Sequence, residues 1–180
     1  MSQIRHKTFI SYHHGDETEV REFINEFDWH RNTFTTRGIG EGMPGDIIDS
    51  DNTTYIMQRI REKYLQDSSV TIVLIGYCTW ARRYVDWEIQ ASLRRGEKVT
   101  PNGLLGIVLP SVNYEPKAPD RLWLNLGSTN SNVGYARWYR YPQNEHELAS
   151  WIEDAYMART TRDHLIENPR DRFINNRQCS

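Results

Sequence analysis

The hydrophobic pattern of the chain contains one stretch that is almost continuously apolar. Val70 to Ile75 reads Val-Thr-Ile-Val-Leu-Ile, a composition typical of a strand covered by helices on both faces. After it, Val85, Ile89 and Leu93 recur at i, i+4 and i+8, which predicts a helix with one face on a sheet. Glu88 falls at the edge of that face. Because ligands in open α/β sheets bind beyond the carboxyl ends of the strands, we expect Glu88 at the mouth of a crevice.

The rest of the pattern predicts further strands and helices in alternation. The other strands are Lys7 to Tyr12, a short one around Thr33 to Thr36, Leu104 to Leu109, and the aromatic run Tyr135 to Tyr141. The other helices are one after Asp16, with Glu19 as its capping-box partner and an end near Trp29, one carrying Ile56, Ile60 and Tyr64, and one after Asn144 or Glu145. This alternation predicts the α/β class with five strands and about four helices.

A glycine-rich segment, Arg37 to Asp46, lies between the second strand and the next helix. Its glycines and proline predict a long loop, and such loops are usually functional. It is not a nucleotide-binding loop. The dinucleotide fingerprint needs glycine where Met43 stands, and the Walker pattern needs a Lys-Ser/Thr pair that this segment lacks.

Length and charge limit the possible functions. With 180 residues, the chain fits one domain, predicted over residues 1–159, followed by a polar tail over 160–180 that we expect on the surface or partly disordered. The net charge of −2 gives no general attraction to nucleic acid or anionic membranes. Arginine outnumbers lysine, which leaves local recognition of phosphate or carboxylate open. Without a bilayer-length apolar run or an apolar signal core near Met1, we expect a soluble, cytoplasmic protein.

Cysteine and histidine give no sign of a metal site. Cys78 and Cys179 form neither a disulfide framework nor a zinc pattern. His13 and His14 follow the first strand, where side chains enter a crevice, but adjacent histidines point in different directions and chelate poorly. Contact with a substrate, or a simple role in a turn, suits this pair better than a metal.

The spacing alone predicts an ordinary role for Glu88: an acidic residue near the start of a helix usually complements the helix dipole. Asp86 fits that role still better, because it lies on the other side of the helix from Tyr84. Trp80, Tyr84 and Trp87 place aromatic rings around the carboxylate. Such rings can stack on a planar ligand or fill the core, and packing is the expected use of at least one of them.

Four segments in order resemble TIR-like domains, and among these the ThsB family of the bacterial Thoeris anti-phage system. They are Thr8 to Asp16, Ser69 to Gly76, Trp80 to Ile89, and Tyr135 to Pro142. The resemblance extends over about Lys7 to Arg159, and its most specific part is Val85-Asp86-Trp87-Glu88-Ile89. It implies a flavodoxin-like parallel sheet of order 2-1-3-4-5 flanked by helices.

The resemblance also implies an activity. Enzymatic TIR domains cleave the bond between nicotinamide and ribose in NAD with one glutamate, and Glu88 matches its position. Tyr84 stands where many of them have tryptophan. The implied substrate-binding residues are Ser11, Tyr12, His13, His14, Trp80 and Tyr84. NAD is then a substrate, with no cofactor and no metal.

Resemblance to this family further favours a cyclic ADP-ribose isomer as the product, a second messenger that activates a separate effector protein. The segment Arg37 to Asp46 corresponds to the loop that links neighbouring TIR subunits into a homo-oligomer. Two alternatives remain: a non-catalytic TIR interaction module that works through this loop, and an enzyme resembling nucleoside deoxyribosyltransferases, which share the fold and also use a glutamate.

Overall fold

A parallel β-sheet lies between two layers of helices in the computed structural model, which describes residues 5–28, 34–35, 49–127 and 132–180. The strands are β1 (Thr8–Ser11), β2 (Phe34–Thr35), β3 (Val70–Ile75), β4 (Gly103–Val108) and β5 (Arg137–Tyr139). In the described ranges the α-helices are α1 (Glu17–Phe27), α2 (Thr53–Ile60), α3 (Arg83–Ser92), α4 (Asp120–Asn125) and α5 (Glu145–Thr161). The predicted α/β class with a parallel sheet flanked by helices is confirmed. None of these helices has the length and apolar character needed to cross a bilayer.

The strands lie in the order β2-β1-β3-β4-β5, with every neighbouring pair parallel. Four of them form the body of the sheet, and β2 adds only a two-residue pairing beside β1. The central strand β3 has the predicted bounds, with Ile72 opposite Ile10 of β1 and Leu105 of β4. Thr33, Thr36 and the predicted loop from Arg37 to Asp46 lie outside the described residues, as do Trp29 and His30.

Each face of the sheet has its own apolar core. On one face α1 and α5 pack through residues such as Phe23 and Ile152. On the other face α3 packs through the predicted stripe Val85, Ile89 and Leu93, together with side chains of α4. The prediction that this stripe packs on the sheet is therefore confirmed. Apolar residues four positions apart lie on the same face of a helix.

The predicted capping box before α1 is wrong. Asp16 makes no side-chain cap and instead accepts a hydrogen bond from Thr79 Oγ1 at 3.3 Å, while Glu19 Oε2 accepts one from the backbone N–H of Ser111 at 3.0 Å. The Asp16 carboxylate lies over Gly76, where a Cβ would collide with it. Contacts between distant segments have replaced the local cap.

After α5 the chain runs back across the outer face of α3; we call residues 163–180 the C-terminal strap. Trp87 Nε1 donates to the carbonyl of Phe173 at 2.7 Å, and the N–H of Phe173 donates to Asp86 Oδ2 at 2.9 Å. Backbone groups of the strap thus bond directly to side chains of α3.

The end of the strap is bound covalently to the turn that follows β3. Cys179 forms a disulfide with Cys78, just beyond β3, with the two Cα atoms 5.6 Å apart. The prediction that these cysteines do not pair is therefore wrong. They are separated by 101 positions in the sequence, so only the return path of the strap brings them together.

Candidate active site

Helix α3 is buried on all sides from Val85 to Ser92. Its apolar stripe faces the sheet, Trp87 and Ala91 face α2, and the strap covers the remainder. A helix buried all round is ordinarily apolar, yet this one carries several polar side chains. Each of them therefore needs a partner inside the protein.

Glu88 finds its partner on the neighbouring strand. Ser11 Oγ, at the last residue of β1, donates a hydrogen bond to Glu88 Oε2, and the Glu88 side chain is almost fully buried, at 1% exposure. Ser92 Oγ, one turn later, donates to the backbone carbonyl of Glu88 at 2.8 Å. The carboxylate is thereby fixed at the carboxyl end of β1, at the edge of the sheet where α/β proteins bind ligands.

The three residues after β1 differ in their exposure to solvent: Tyr12 and His13 are half-buried, and His14 is exposed. Tyr12 is half-buried, and its pKa is raised first by burial and then by the negative charges of Glu17 and Glu88, which places its ring near the candidate carboxylate. His13 is half-buried, and burial, followed by the charges of Arg82 and His14, lowers its pKa and favours a neutral imidazole. The side chain of His14 is 62% exposed and lies 3.7 Å from Glu17. His14 thus belongs to the surface.

The predicted aromatic cluster is only partly assembled. Tyr84 and Trp87 meet edge to face, with ring centroids 5.7 Å apart, and Trp87 belongs to the core between α2 and α3. The Tyr84 hydroxyl accepts a hydrogen bond from Arg83 Nη2 at 2.9 Å. Trp80 lies in the turn before α3, with the Lys117 ammonium 3.3 Å from its ring centroid. The structure therefore brings Ser11 and Tyr12 to Glu88. Tyr84 lies one helical turn before Glu88 and contacts Arg83 and Trp87, whereas Trp80 forms a separate cation–π pair.

Asp86, two residues before the candidate catalytic position, has a purely structural set of contacts. Arg121 Nε donates to Asp86 Oδ1 at 2.8 Å, and both side chains are at least 95% buried. The same arginine donates to the strap carbonyls of Pro169 and Asp171, each at 2.7 Å. Sequence reasoning missed Arg121 altogether, because nothing local to it indicates a buried cation.

Metal-binding geometry is not found in the described ranges, where no three histidine, cysteine, aspartate or glutamate side chains cluster closely enough to hold an ion. Asp16, near the carboxyl ends of β1 and β3, has a pKa raised mainly by burial. The acidic groups at this edge are thus separate single carboxylates, each with its own hydrogen-bond donor.

Comparison with protein families decides the membership of the chain. Residues 9–114 match the family model described as Thoeris protein ThsB, TIR-like domain, and the matched segment is more than half of the chain. The chain belongs to this family. Membership in the ThsB family indicates a role related to Thoeris defence. Comparison with curated proteins gives no match.

The segment matched to the ThsB family contains every candidate site residue, from Ser11 to Glu88. It ends at Tyr114, before β5 and α5, although the resemblance in the sequence extends to Arg159. Arg121 and the C-terminal strap lie beyond the match. The candidate site therefore falls in the part shared with the ThsB family, and the covering of α3 falls outside it.

Proposed function

We propose that this protein cleaves the bond between nicotinamide and ribose in NAD, with Glu88 as the catalytic carboxylate. The observation that carries the proposal is the placement of Glu88: it is buried, it receives the Ser11 hydroxyl, and it stands at the carboxyl end of β1 in a TIR-like domain of the ThsB family. A single fixed anion at a crevice suits a reaction whose transition state is positively charged.

The chemistry requires only one carboxylate. When the ribose C1′–N bond breaks, its electron pair stays on the nicotinamide nitrogen, and the already cationic ring leaves as neutral nicotinamide. Positive charge then develops on the ribose carbon and ring oxygen, as in glycoside hydrolysis. Glu88 stabilises this charge, and no general acid is needed for the leaving group. The hydrogen bond from Ser11 holds the carboxylate in place for this role.

Substrate access requires movement, because Glu88 is almost fully buried in the structure described here. Tyr12 and Tyr84 are half-buried near it and are the side chains whose displacement would open the crevice. We further propose that assembly of subunits through the loop from Arg37 to Asp46 accompanies this opening. The remaining substrate contacts come from His13 and His14, and from Trp80 if its pairing with Lys117 breaks.

The nucleophile that follows nicotinamide departure determines the product. Attack by water gives ADP-ribose and a proton, whereas attack by an adenine nitrogen or ribose hydroxyl of the same molecule gives a cyclic ADP-ribose isomer and a proton. We propose the cyclic product, acting as a second messenger that activates a separate effector protein in anti-phage defence. The family match to a Thoeris protein supports the defence role.

The decisive experiment compares the parent protein with Glu88→Gln, which keeps the side-chain volume and an oxygen that can accept from Ser11. Each is incubated with NAD, with and without lysate of phage-infected cells, and nicotinamide is measured by chromatography. We expect release from the parent and a loss of at least about a hundredfold in Glu88→Gln, as for removal of a principal electrostatic group. Mass spectrometry of the remaining nucleotide then separates ADP-ribose from a cyclic product, which lacks one water.

Two results would point to the alternatives. If Glu88→Gln retained full defence against phage while substitutions between Arg37 and Asp46 abolished it, the chain would be a non-catalytic interaction module. Turnover of deoxynucleosides without turnover of NAD would instead identify an enzyme of the deoxyribosyltransferase type. The defence assay uses cells that express these variants and the turnover assay uses the purified proteins, so together they distinguish the three functions.

A further inference from the structure

The C-terminal strap contacts the start of α3 as well as its outer face. Arg82, the N-cap residue of α3, makes no side-chain cap, and Asn176 Oδ1 of the strap instead accepts from the backbone N–H of Arg83 at 3.0 Å. Beside this bond, the N–H of Arg177 donates to the carbonyl of Ala81 at 2.9 Å, in the turn before the helix. The first N–H groups of a helix have no carbonyl partner within it, so the strap supplies a cap that α3 lacks.

Arg83 connects the strap to Tyr84. Its Nη1 donates to the strap carbonyl of Ile174 at 3.0 Å, and its Nη2 donates to the Tyr84 hydroxyl at 2.9 Å. The guanidinium carbon of Arg83 also lies 4.8 Å from the centroid of the Tyr84 ring. Tyr84 stands one helical turn before Glu88. The strap, through Arg83, thus holds one of the two tyrosines whose displacement would open the crevice.

The strap is held unequally along its length. Up to Phe173 its backbone bonds to side chains that are almost fully buried, among them Asp86 and Trp87. Residues 174–178 are all exposed, so water competes for each hydrogen bond that they make with the start of α3. The disulfide just after this exposed stretch keeps it beside α3, so that each broken bond re-forms at a high effective concentration of its partner. The disulfide therefore determines how firmly residues 174–178 are bound.

The disulfide can react with a dithiol. Cys78 and Cys179 are both partly exposed, and they are the only cysteines in the sequence. A thiolate of the dithiol attacks one sulfur, forms a mixed disulfide and releases the other cysteine; its second thiol then displaces the remaining cysteine. Two electrons pass to the protein, the reductant is oxidised to a disulfide, and its two protons end on the two cysteine thiols.

We propose that the end of the strap is a redox-sensitive switch: reduction of the disulfide by a dithiol releases residues 174–178 from the start of α3 and frees Tyr84. In the oxidised protein the strap caps α3 and, through Arg83, holds Tyr84 in place. Reduction breaks these contacts, while the buried contacts of Phe173 remain. On the function proposed above, this release admits NAD to Glu88, so the reduced protein is the active form. The release itself does not depend on NAD cleavage.

The first experiment follows the strap without a substrate. Amide hydrogen exchange of the whole, ¹⁵N-labelled chain is measured by NMR before and after reduction with dithiothreitol. The N–H groups of Arg83 and Arg177 each report one strap contact, and we expect both to exchange about tenfold faster in the reduced protein. The N–H of Phe173, bonded to Asp86, is the internal control and should keep its rate.

Two variants separate the disulfide from the cap. Cys179→Ser should exchange at Arg83 and Arg177 like the reduced protein, and dithiothreitol should not change it further. Asn176→Ala keeps the disulfide and removes the acceptor of the Arg83 N–H, so exchange should rise more at Arg83 than at Arg177. If reduction leaves exchange at both residues unchanged, or speeds it at Phe173 to the same extent, the proposed switch is overturned.

The second experiment measures nicotinamide release at low NAD concentration. We expect the reduced protein and Cys179→Ser to be at least about tenfold faster than the oxidised protein, because a rarely populated open form lowers the apparent affinity for substrate. Equal rates in the oxidised and reduced proteins would overturn control of this site by the strap. If no form releases nicotinamide while exchange at Arg83 still rises on reduction, the switch stands and the function proposed above fails. The two failures are thus distinguishable.

Discussion

Arg121 on α4 and Asp86 on α3 form a buried ion pair, with Arg121 Nε 2.8 Å from Asp86 Oδ1. The pair joins three segments, because Asp86 also accepts from the backbone of Phe173 and Arg121 also donates to strap carbonyls. Every N–H group of the Arg121 guanidinium thus has an acceptor within the protein, and both oxygens of Asp86 accept a hydrogen bond. The pair holds the strap against the helix that carries Glu88.

Removing the cation alone should destabilise the protein strongly. Arg121→Gln leaves the Asp86 carboxylate buried without its charge partner, which costs about 3–5 kcal/mol. The free energy of unfolding, measured with urea, should fall by that amount. Arg177→Gln, in the strap, is the control: it breaks the exposed pair with Asp120 at the start of α4 and should cost less than about 1 kcal/mol. Equal losses in the two variants would contradict the anchoring role of Arg121.

The hydrogen bond from Ser11 should matter for catalysis more than for folding. Ser11→Ala removes a donor to the Glu88 carboxylate, and a bond to a charged group contributes about 1.5–3 kcal/mol. If Glu88 acts as proposed, we expect kcat for NAD cleavage to fall roughly tenfold or more, with little change in KM, because the bond holds the proposed catalytic carboxylate in position. Ser92→Ala is the matched control, since Ser92 Oγ donates to the backbone carbonyl of Glu88 and bonds to Thr71. A larger loss of kcat in Ser92→Ala than in Ser11→Ala would refute this assignment.

Breaking the disulfide should loosen the end of the strap without unfolding the domain. Trypsin cleaves after arginine, and the strap contains Arg170, Arg172 and Arg177. We expect dithiothreitol, or Cys179→Ser, to speed cleavage after Arg177 above all, with β3 to α5 remaining intact by mass spectrometry. Cys78→Ser should give the same pattern because it breaks the same bond. Identical cleavage rates with and without reductant would show that hydrogen bonds alone hold this end.

Asp16 should make stability depend on pH. Burial, as the main cause, raises the pKa of Asp16 above its ordinary 3.8; the hydrogen bond from Thr79 opposes this shift, and the charge of Glu19 adds to it. The protonated form is thus favoured in the folded state. Its contribution to stability is complete below the unfolded pKa and is lost as the pH rises through the folded pKa.

Asp16→Asn keeps the shape and an oxygen for Thr79 but cannot ionise. It should be more stable than the parent near pH 7, with the difference shrinking towards about pH 3. Urea unfolding at both pH values measures this. Glu17→Gln, on the exposed side of the same helix start, is a matched control, and its trend should be opposite because Arg21 lowers the pKa of Glu17. A parent that gained stability over Asp16→Asn as the pH rose would disprove the expectation.

The sequence predicted elements whose signal is local. The run Val70–Ile75 became β3 with the same bounds, and Asn144 caps α5 by accepting from the N–H of Glu147 at 2.9 Å. In both cases the signal lies within a few neighbouring residues. For β3 it is a continuous run of buried apolar residues, and for α5 it is the capping side chain. Ser11 was included among the candidate residues through the family resemblance, and the structure bonds it to Glu88.

What the sequence did not predict depends on contacts between distant segments. Helix α4, only six residues long, lies in a segment for which the sequence pattern predicts no helix, and its Arg121 is buried only because the strap and α3 surround it. The strap itself reads as polar, yet its backbone carbonyls satisfy Trp87, Gln90 and Arg121. Every residue has a backbone carbonyl, so the pattern of side chains along the strap does not indicate which carbonyls accept these hydrogen bonds.

The bond between Cys78 and Cys179 turns most of the chain into a closed ring, and Glu88 lies inside that ring. A pull on the C-terminus of the oxidised protein is therefore transmitted to the end of β3, in the centre of the sheet, and not to the hydrogen bonds of the strap. A protease that unravels the chain from its C-terminal side would meet a covalent loop once it reached Cys179. In the reduced protein the same pull would first peel the strap from α3 and uncover the helix that carries Glu88.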